Sequence, residues 1–164
     1  LNPIIEDNFI DRDLTMAEYV SEIVKSFQET SKKDFIVNYD QNSNPLNITK
    51  SIEIVYGLRN FIGNANKFSE NKIFINIKSD SDFTEVMIED DGEGYPKDVL
   101  SKIGEPYIKS FKSSIKSKSG LGLGIFIGKT LLEKNYANIL CRNSQTRSGA
   151  EVSIKWKNED LLKL

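Results

Sequence analysis

Histidine is missing from all 164 residues, and this absence excludes more than any other feature of the composition. Without an imidazole the chain can build neither a Ser-His-Asp triad nor a His-ligated metal site from its own residues. A single cysteine, Cys141, permits no internal disulfide, which fits a reducing compartment. No apolar run approaches the length of a membrane span, and no signal-peptide pattern is visible. A surplus of positive charge is missing too. Lys plus Arg number 22 against 24 Asp plus Glu, a net charge of −2, so the broad basic field of a nucleic-acid binder is absent. Nor does the sequence start with methionine; "LNPIIEDNF" reads as the opening of a piece of something longer.

What is present suits one soluble domain with a real core. The hydrophobic share is 38%, the charged share 28%, and the aromatics include nine Phe and six Tyr. Residues 1–14 read as a polar linker, 15–157 as the folded domain and 158–164 as a tail. Thr15 to Gln28 carries Met16, Tyr19, Val20, Ile23, Val24 and Phe27 at helical spacing, with Thr15 and Glu18 forming a capping box. A second helix is expected from about Thr49 to Phe68. Short strands are expected at 34–40, 72–79, 84–90, 138–143 and 150–156, the last four as two antiparallel hairpins. "GEGYPKDVLSKIG" contains a short helix, and "GLGLGIFIGKTLLEKN" opens with glycines and continues as an apolar one. The sum is an α/β two-layer sandwich, a mixed open sheet covered on one face by helices.

Three stretches are poorly explained by folding alone. In "LRNFIGNANKFS" (58–69), an advance of 100° per residue gathers Asn60, Asn64 and Lys67 into one polar stripe. Ile54, Leu58, Phe61, Ala65 and Phe68 fall about a quarter to a third of a turn away. The apolar stripe faces the sheet and the amides face sideways. A side-chain amide oxygen can ligate Mg²⁺ without adding negative charge beside phosphates, although a solvated face that happens to carry Asn would look the same. "MIEDDGEGYP" (87–96) ends a strand with Asp90-x-Gly92-x-Gly94: an acid able to accept from an exocyclic amine, and glycines that let backbone pass close to a flat ring, or else an ordinary acidic turn. "SGLGLGIF" (119–126) places Gly120, Gly122 and Gly124 at a helix start, where free N–H groups and the helix dipole suit phosphate. No Gly-Lys-Ser/Thr follows, so the Walker-type phosphate loop is excluded. Spacing and context also exclude the dinucleotide fingerprint.

Taken in order, Asn-x-x-x-Asn-Ala-x-Lys, Asp-x-Gly-x-Gly and Gly-x-Gly-Leu-Gly resemble the ATP-binding catalytic domain of bacterial sensor histidine kinases. That domain belongs to the superfamily shared with gyrase, the heat-shock 90 chaperones and MutL (the Bergerat fold). The resemblance runs over about residues 15 to 157. Within the family, "GEPY" (104–107), "GLGLGIFIGKTLLEK" and "GAEVSIKW" are similar to the redox-responsive RegB/PrrB group. The resemblance implies ATP and Mg²⁺ as ligands. By it, Asn64 would ligate Mg²⁺, Asn60 and Lys67 would contact phosphate oxygens, and these three would be the catalytic residues. Phe68 would lie at the adenine–ribose edge, Asp90 would accept from the adenine amino group, and Gly92 and Gly94 would shape the base pocket. Tyr107 stands where the family usually has Phe. Gly120, Gly122 and Gly124, with Leu121 and Leu123 between them, would hold the phosphates at the hinge of an ATP lid running from Gly104 to Ser119. One of Lys109, Lys112, Lys116 and Lys118 would reach the γ-phosphate, or all four belong to a solvated loop.

The superfamily's ATPases and its anti-sigma-factor serine kinases resemble one another in carrying Glu four residues before the Mg²⁺-binding Asn. Here that position is Asn60, and an amide cannot take a proton from water or a serine hydroxyl near neutral pH. A neutral imidazole nitrogen needs no such help. The resemblance therefore implies a cytoplasmic protein-histidine kinase domain of a two-component system. Its partners would be an upstream dimerisation domain bearing the phosphoacceptor and a response regulator, with no nucleic acid and no direct membrane contact. A non-catalytic nucleotide sensor and an anti-sigma-type serine kinase are the alternatives. Cys141, mid-strand, reads as a core filler and Trp156 as a packing residue.

Overall fold

A computed structural model describes residues 13–40, 46–49, 51–103 and 121–164. The first helix, α1 (Met16–Gln28), starts where its cap dictates. Thr15 is extended, its hydroxyl accepts from Glu18 N at 3.2 Å, and the Glu18 carboxylate accepts from Thr15 N at 3.0 Å. Strand β1 (Asp34–Tyr39) follows, then α2 (Ile52–Phe68). α2 begins three residues later than Thr49 because the cap oxygen comes from Ser51, which accepts from Ile54 N at 3.2 Å. Strands β2 (Lys72–Ser79) and β3 (Phe83–Asp90) are joined by a tight turn in which Asp80 Oδ1 accepts from the N–H groups of Asp82 and Phe83. The short α3 (Lys97–Lys102) and the longer α4 (Leu121–Lys134) precede β4 (Asn138–Asn143) and β5 (Ala150–Lys157).

The five strands form one open sheet in the order β1-β2-β3-β5-β4, with β1 parallel to β2 and the remaining pairs antiparallel. Strand alternation sends Ile73, Ile75 and Ile77, with Val86, Ile88, Val152, Ile154 and Trp156, to one face, where all are buried. Ile23 of α1, Leu58 and Ile62 of α2 and Leu132 of α4 join the same cluster, so the helices lie on that face. Each such side chain contributes about 1.5–3 kcal/mol by leaving water. Trp156 is fully buried, as its strand position implies.

Two features were not legible in the sequence. A one-turn helix, α5 (Asn158–Leu161), follows β5 directly. Its Asn158 bridges Thr84 and the Asp80 carbonyl at 2.7 Å each, and Leu161 is buried. Leu14 pairs with Ile48 in an isolated antiparallel bridge.

Candidate nucleotide site

Asp90 is the last residue of β3 and shares the inner face with Ile88, so strand alternation turns its carboxylate toward the helices. It is 5% exposed. Gly92 N donates to Oδ1 at 2.8 Å and Ala150 N to the same oxygen at 3.3 Å. Burial nevertheless dominates and, with the Asp91 charge adding to it, holds the carboxyl above the usual carboxylate range despite those two N–H groups and Lys33. Both bonds fall on Oδ1.

The cavity beside Asp90 is walled by Phe61, Asn64, Ala65 and Phe68 of α2, by Ile88 of β3, by Glu93, Gly94 and Tyr95, and by Ala150 and Val152 of β5. With its mouth and the adjoining open space included, the hollow between these walls amounts to about 460 Å³. Apolar and aromatic walls with one buried acid suit a flat ring carrying an amino edge.

The loop after Asp90 is held from several sides. Asp91 accepts from the N–H groups of Glu70, Asn71 and Lys72 at 2.9, 3.0 and 3.1 Å. Desolvation pushes this carboxyl up, but the N–H groups outweigh it and hold it below the usual range. Gly92 runs so close to the Phe68 carbonyl that a Cβ would overlap it, and Gly94 has φ +83°, which favours glycine. Asn143, ending β4, grips the next residue through both amide atoms: Tyr95 N donates to Oδ1 at 2.6 Å, and Nδ2 donates to Tyr95 O at 3.1 Å. Lys33 fixes the neighbouring end of α2, its ammonium donating to the carbonyls of Asn66 and Ser69 at 2.9 and 2.6 Å.

The amide row faces sideways, as its periodicity predicts: Leu58, Phe61, Ile62 and Ala65 are buried while Asn60 and Asn64 are half-buried. Asn64 lines the cavity together with Phe68, Asp90 and Gly94. Its Nδ2 is buried with no hydrogen-bond partner among the described residues, at a typical expense of about 1–3 kcal/mol. A half-turn of the carboxamide would exchange its nitrogen and oxygen. Asn60 lies outside the cavity wall and donates from Nδ2 to Tyr56 O of its own helix at 2.8 Å. The Lys67 ammonium sits 5.4 Å from the centre of the Phe68 ring.

Leu121, Gly122, Leu123 and Gly124 make the first turn of α4, with Leu123 exposed. Gly124 abuts the amide row directly: a Cβ there would stand 2.7 Å from Asn64 Oδ1. The structure thus brings Asn64, Asp90, Gly94 and the start of α4 to one place. Tyr107, Gly120 and the lysines at 109, 112, 116 and 118 lie outside the described residues. Lys33, Tyr95, Asn143, Gly149 and Ala150 complete the surroundings and were missed by sequence reasoning. Only Gly149, directly before a strand in "GAEVSIKW", carried a signal that could have found it.

Cys141 hydrogen-bonds with buried Tyr95 behind the cavity. Desolvation, against the opposing pull of that bond and Lys129, pushes its thiol up to about 11, so it remains a protonated filler. Among the described residues no cluster of three or more His, Cys, Asp or Glu could hold a metal, and no helix is long and apolar enough to cross a membrane.

An inner-face acid at a glycine turn, a side-facing amide and a glycine-rich helix start thus come together in this part of the fold. Residues 49–160 match the family described as histidine kinase-, DNA gyrase B- and HSP90-like ATPases, and the chain belongs to that family. Among curated relatives, the sensor histidine kinase RegB of Cereibacter sphaeroides is 34% identical over 131 residues, covering 70% of this chain and 28% of RegB. The chain spans about a quarter of the length of the curated relatives it matches. Among solved structures, the nucleotide-free catalytic domain of histidine kinase ThkA shares the fold, with TM-score 0.70, 21% identity and coverage of 89% of this chain and 96% of that one. The mycobacterial sensor histidine kinase MprB does so at TM-score 0.65 and 18% identity, with 89% and 96% covered.

Proposed function

We propose that this chain is the ATP-binding catalytic domain of a sensor histidine kinase, binding Mg-ATP and delivering the γ-phosphoryl group to a histidine on a separate dimerisation domain. The observation that carries this reading is the shared cavity of Asn64 and Asp90, with a neutral amide at position 60. Asp90 Oδ2 accepts from the adenine amino group, and Phe68, Ile88 and Tyr95 enclose the ring. The phosphates extend toward Asn64 and the first turn of α4, with Lys67 at the margin. The Asn64 amide, without a partner for its nitrogen among the described residues, fits a role as a protein ligand of Mg²⁺, which would neutralise phosphate charge there. Asn60 has no basic atom with which to activate water, whereas an incoming imidazole is already a nucleophile. Because the chain has no histidine, the acceptor comes from elsewhere. A response regulator would then take the phosphoryl group, and the domain would work in the cytoplasm.

The test is direct. Joining a His-bearing helical hairpin upstream of residue 1 and supplying Mg-ATP should yield acid-labile, base-stable phosphate on that hairpin. Phosphate of the opposite lability, on a serine, would overturn the reading, as would titrations showing no affinity for adenosine nucleotides.

A further inference from the structure

The turn between β4 and β5, residues 144–149, wraps the end of β3 and holds it on both faces. On the inner face, the backbone at Gly149 presses on Asp90 so closely that a Cβ would overlap its carbonyl and Oδ1, and Ala150 N donates to that carboxylate. On the open face, Glu89, the residue before Asp90, accepts from Ser144 Oγ at 2.9 Å and pairs with Arg147, whose Nε lies 3.7 Å from the same carboxylate oxygen. The Arg147 guanidinium also stacks on Phe74, 3.5 Å from the ring centre. Ser144 closes the turn on itself, accepting from Arg147 N at 2.9 Å and donating its own N–H to Gly149 O at 2.8 Å. Adjacent residues of one strand point to opposite faces, so a single turn grips both.

From this two-sided grip we infer that Arg147 and Glu89 are positioning residues for base recognition: they lock the turn from the open face and so keep the Gly149–Ala150 backbone against Asp90. The inference rests on the reading of Asp90 as the acceptor of the adenine amine. Electrostatics explains why the lock needs its cation. Glu89 stands directly opposite Glu151 in the β3–β5 register, and both are buried. Glu151 is paired with Arg142, and Glu89 relies on Arg147. Removing Arg147 leaves two facing carboxylates with one arginine, and their repulsion pushes the turn away from the strand end. Asp90 then loses the Ala150 N–H and the wall that fixes its rotamer. Neither Arg147 nor Glu89 lines the cavity, so their effect reaches the ligand only through Asp90.

The 164-residue chain and its variants would be titrated with adenosine diphosphate and with inosine diphosphate, which lacks the exocyclic amine. Arg147→Ala should weaken adenosine diphosphate about tenfold and inosine diphosphate less than twofold. In an Asp90→Ala background it should change neither, since coupled residues lose the same interaction only once. Glu89→Gln keeps an acceptor for Ser144 and removes the like charge; combined with Arg147→Ala, it should recover most of the lost affinity. Equal weakening of both nucleotides, additive losses with Asp90→Ala, or no change at all would each overturn the inference. A wild-type chain that binds the two nucleotides equally would remove Asp90 from the base, and both the reading and the inference would fall together.

Discussion

At the Asp90 end of the cavity, backbone N–H groups of Gly92 and Ala150 already satisfy one carboxylate oxygen, and three more hold Asp91. At the Asn64 end a buried amide nitrogen has no partner among the described residues, and Gly124 packs so close that a Cβ would stand 2.7 Å from Asn64 Oδ1. Under the proposed reading, the contrast separates recognition from chemistry. A base pocket gains affinity from walls fixed in advance. A phosphate site must leave polar atoms for charges that arrive with the ligand. The largest expected effect therefore falls at Asn64. Asn64→Ala should abolish the Mg²⁺-dependent part of ATP affinity and lower transfer to a supplied histidine by about 10²-fold or more. It should leave thermal stability unchanged or slightly raised, because the orphaned amide is gone. Substantial destabilisation would mean that Asn64 serves the fold and would erase the contrast.

Asp90→Ala should act on the other end only. ATP and ADP affinity should fall alike by about 1.5–3 kcal/mol, the worth of a hydrogen bond to a charged group, as read by calorimetry with and without metal. A loss confined to ATP would place Asp90 at the phosphates and invert the assignment.

How far these two ends were legible in the sequence follows from the range of the interactions that build them. Among the described residues, helix and strand periodicity located the five strands and four of the five helices, since burial on one face repeats every two or 3.6 residues. The start of α2 was misjudged because Thr49 and Ser51 are both competent caps, and only the Ser51 hydroxyl meets an N–H. Asn60, Asn64, Asp90 and Gly94 stood out because each breaks a local pattern. Asn143 and Lys33 break none, and Gly149 offers only a glycine before a strand, which does not say what it packs against. The roles of Asn143, Gly149 and Lys33 come from contacts with residues 48, 59 and 36 positions away, which no local window contains. α5 is a single turn, too short for any period.

Asp90 and Asp91 also make the comparison at the scale of two neighbours with opposite titration. Asp91 is held low, so its contribution to stability is present above the unfolded-state value of about 3.9 and is lost as pH falls through the lower folded-state value. Asp90 is held high: its contribution is complete below that unfolded-state value and is lost as pH rises through the raised one. Asp91→Asn should therefore destabilise the protein at neutral pH, with the difference fading in acid. Asp90→Asn should be neutral or stabilising at neutral pH. Urea unfolding of both variants across the acid range checks the signs; two curves moving in the same direction would show that the pair shares one environment.

The smallest expected effect is a gain. Asn60 stands one helical turn before Asn64, on the same side of α2, with its amide tied to Tyr56 O. A carboxylate there could take a proton from water, which the amide cannot, so Asn60→Glu should raise ATP hydrolysis by the isolated chain. General bases placed by evolution contribute about 10²–10⁴-fold. A glutamate introduced beside a backbone carbonyl loses the Tyr56 bond, is repelled by that oxygen and is not aimed by neighbours, so an increase of only about two- to tenfold in phosphate release is expected. The sign matters more than the size. Unchanged hydrolysis, with nucleotide affinity intact, would show that a missing base is not what restrains water at this site, and that the choice of histidine over water is made by the position of the phosphates.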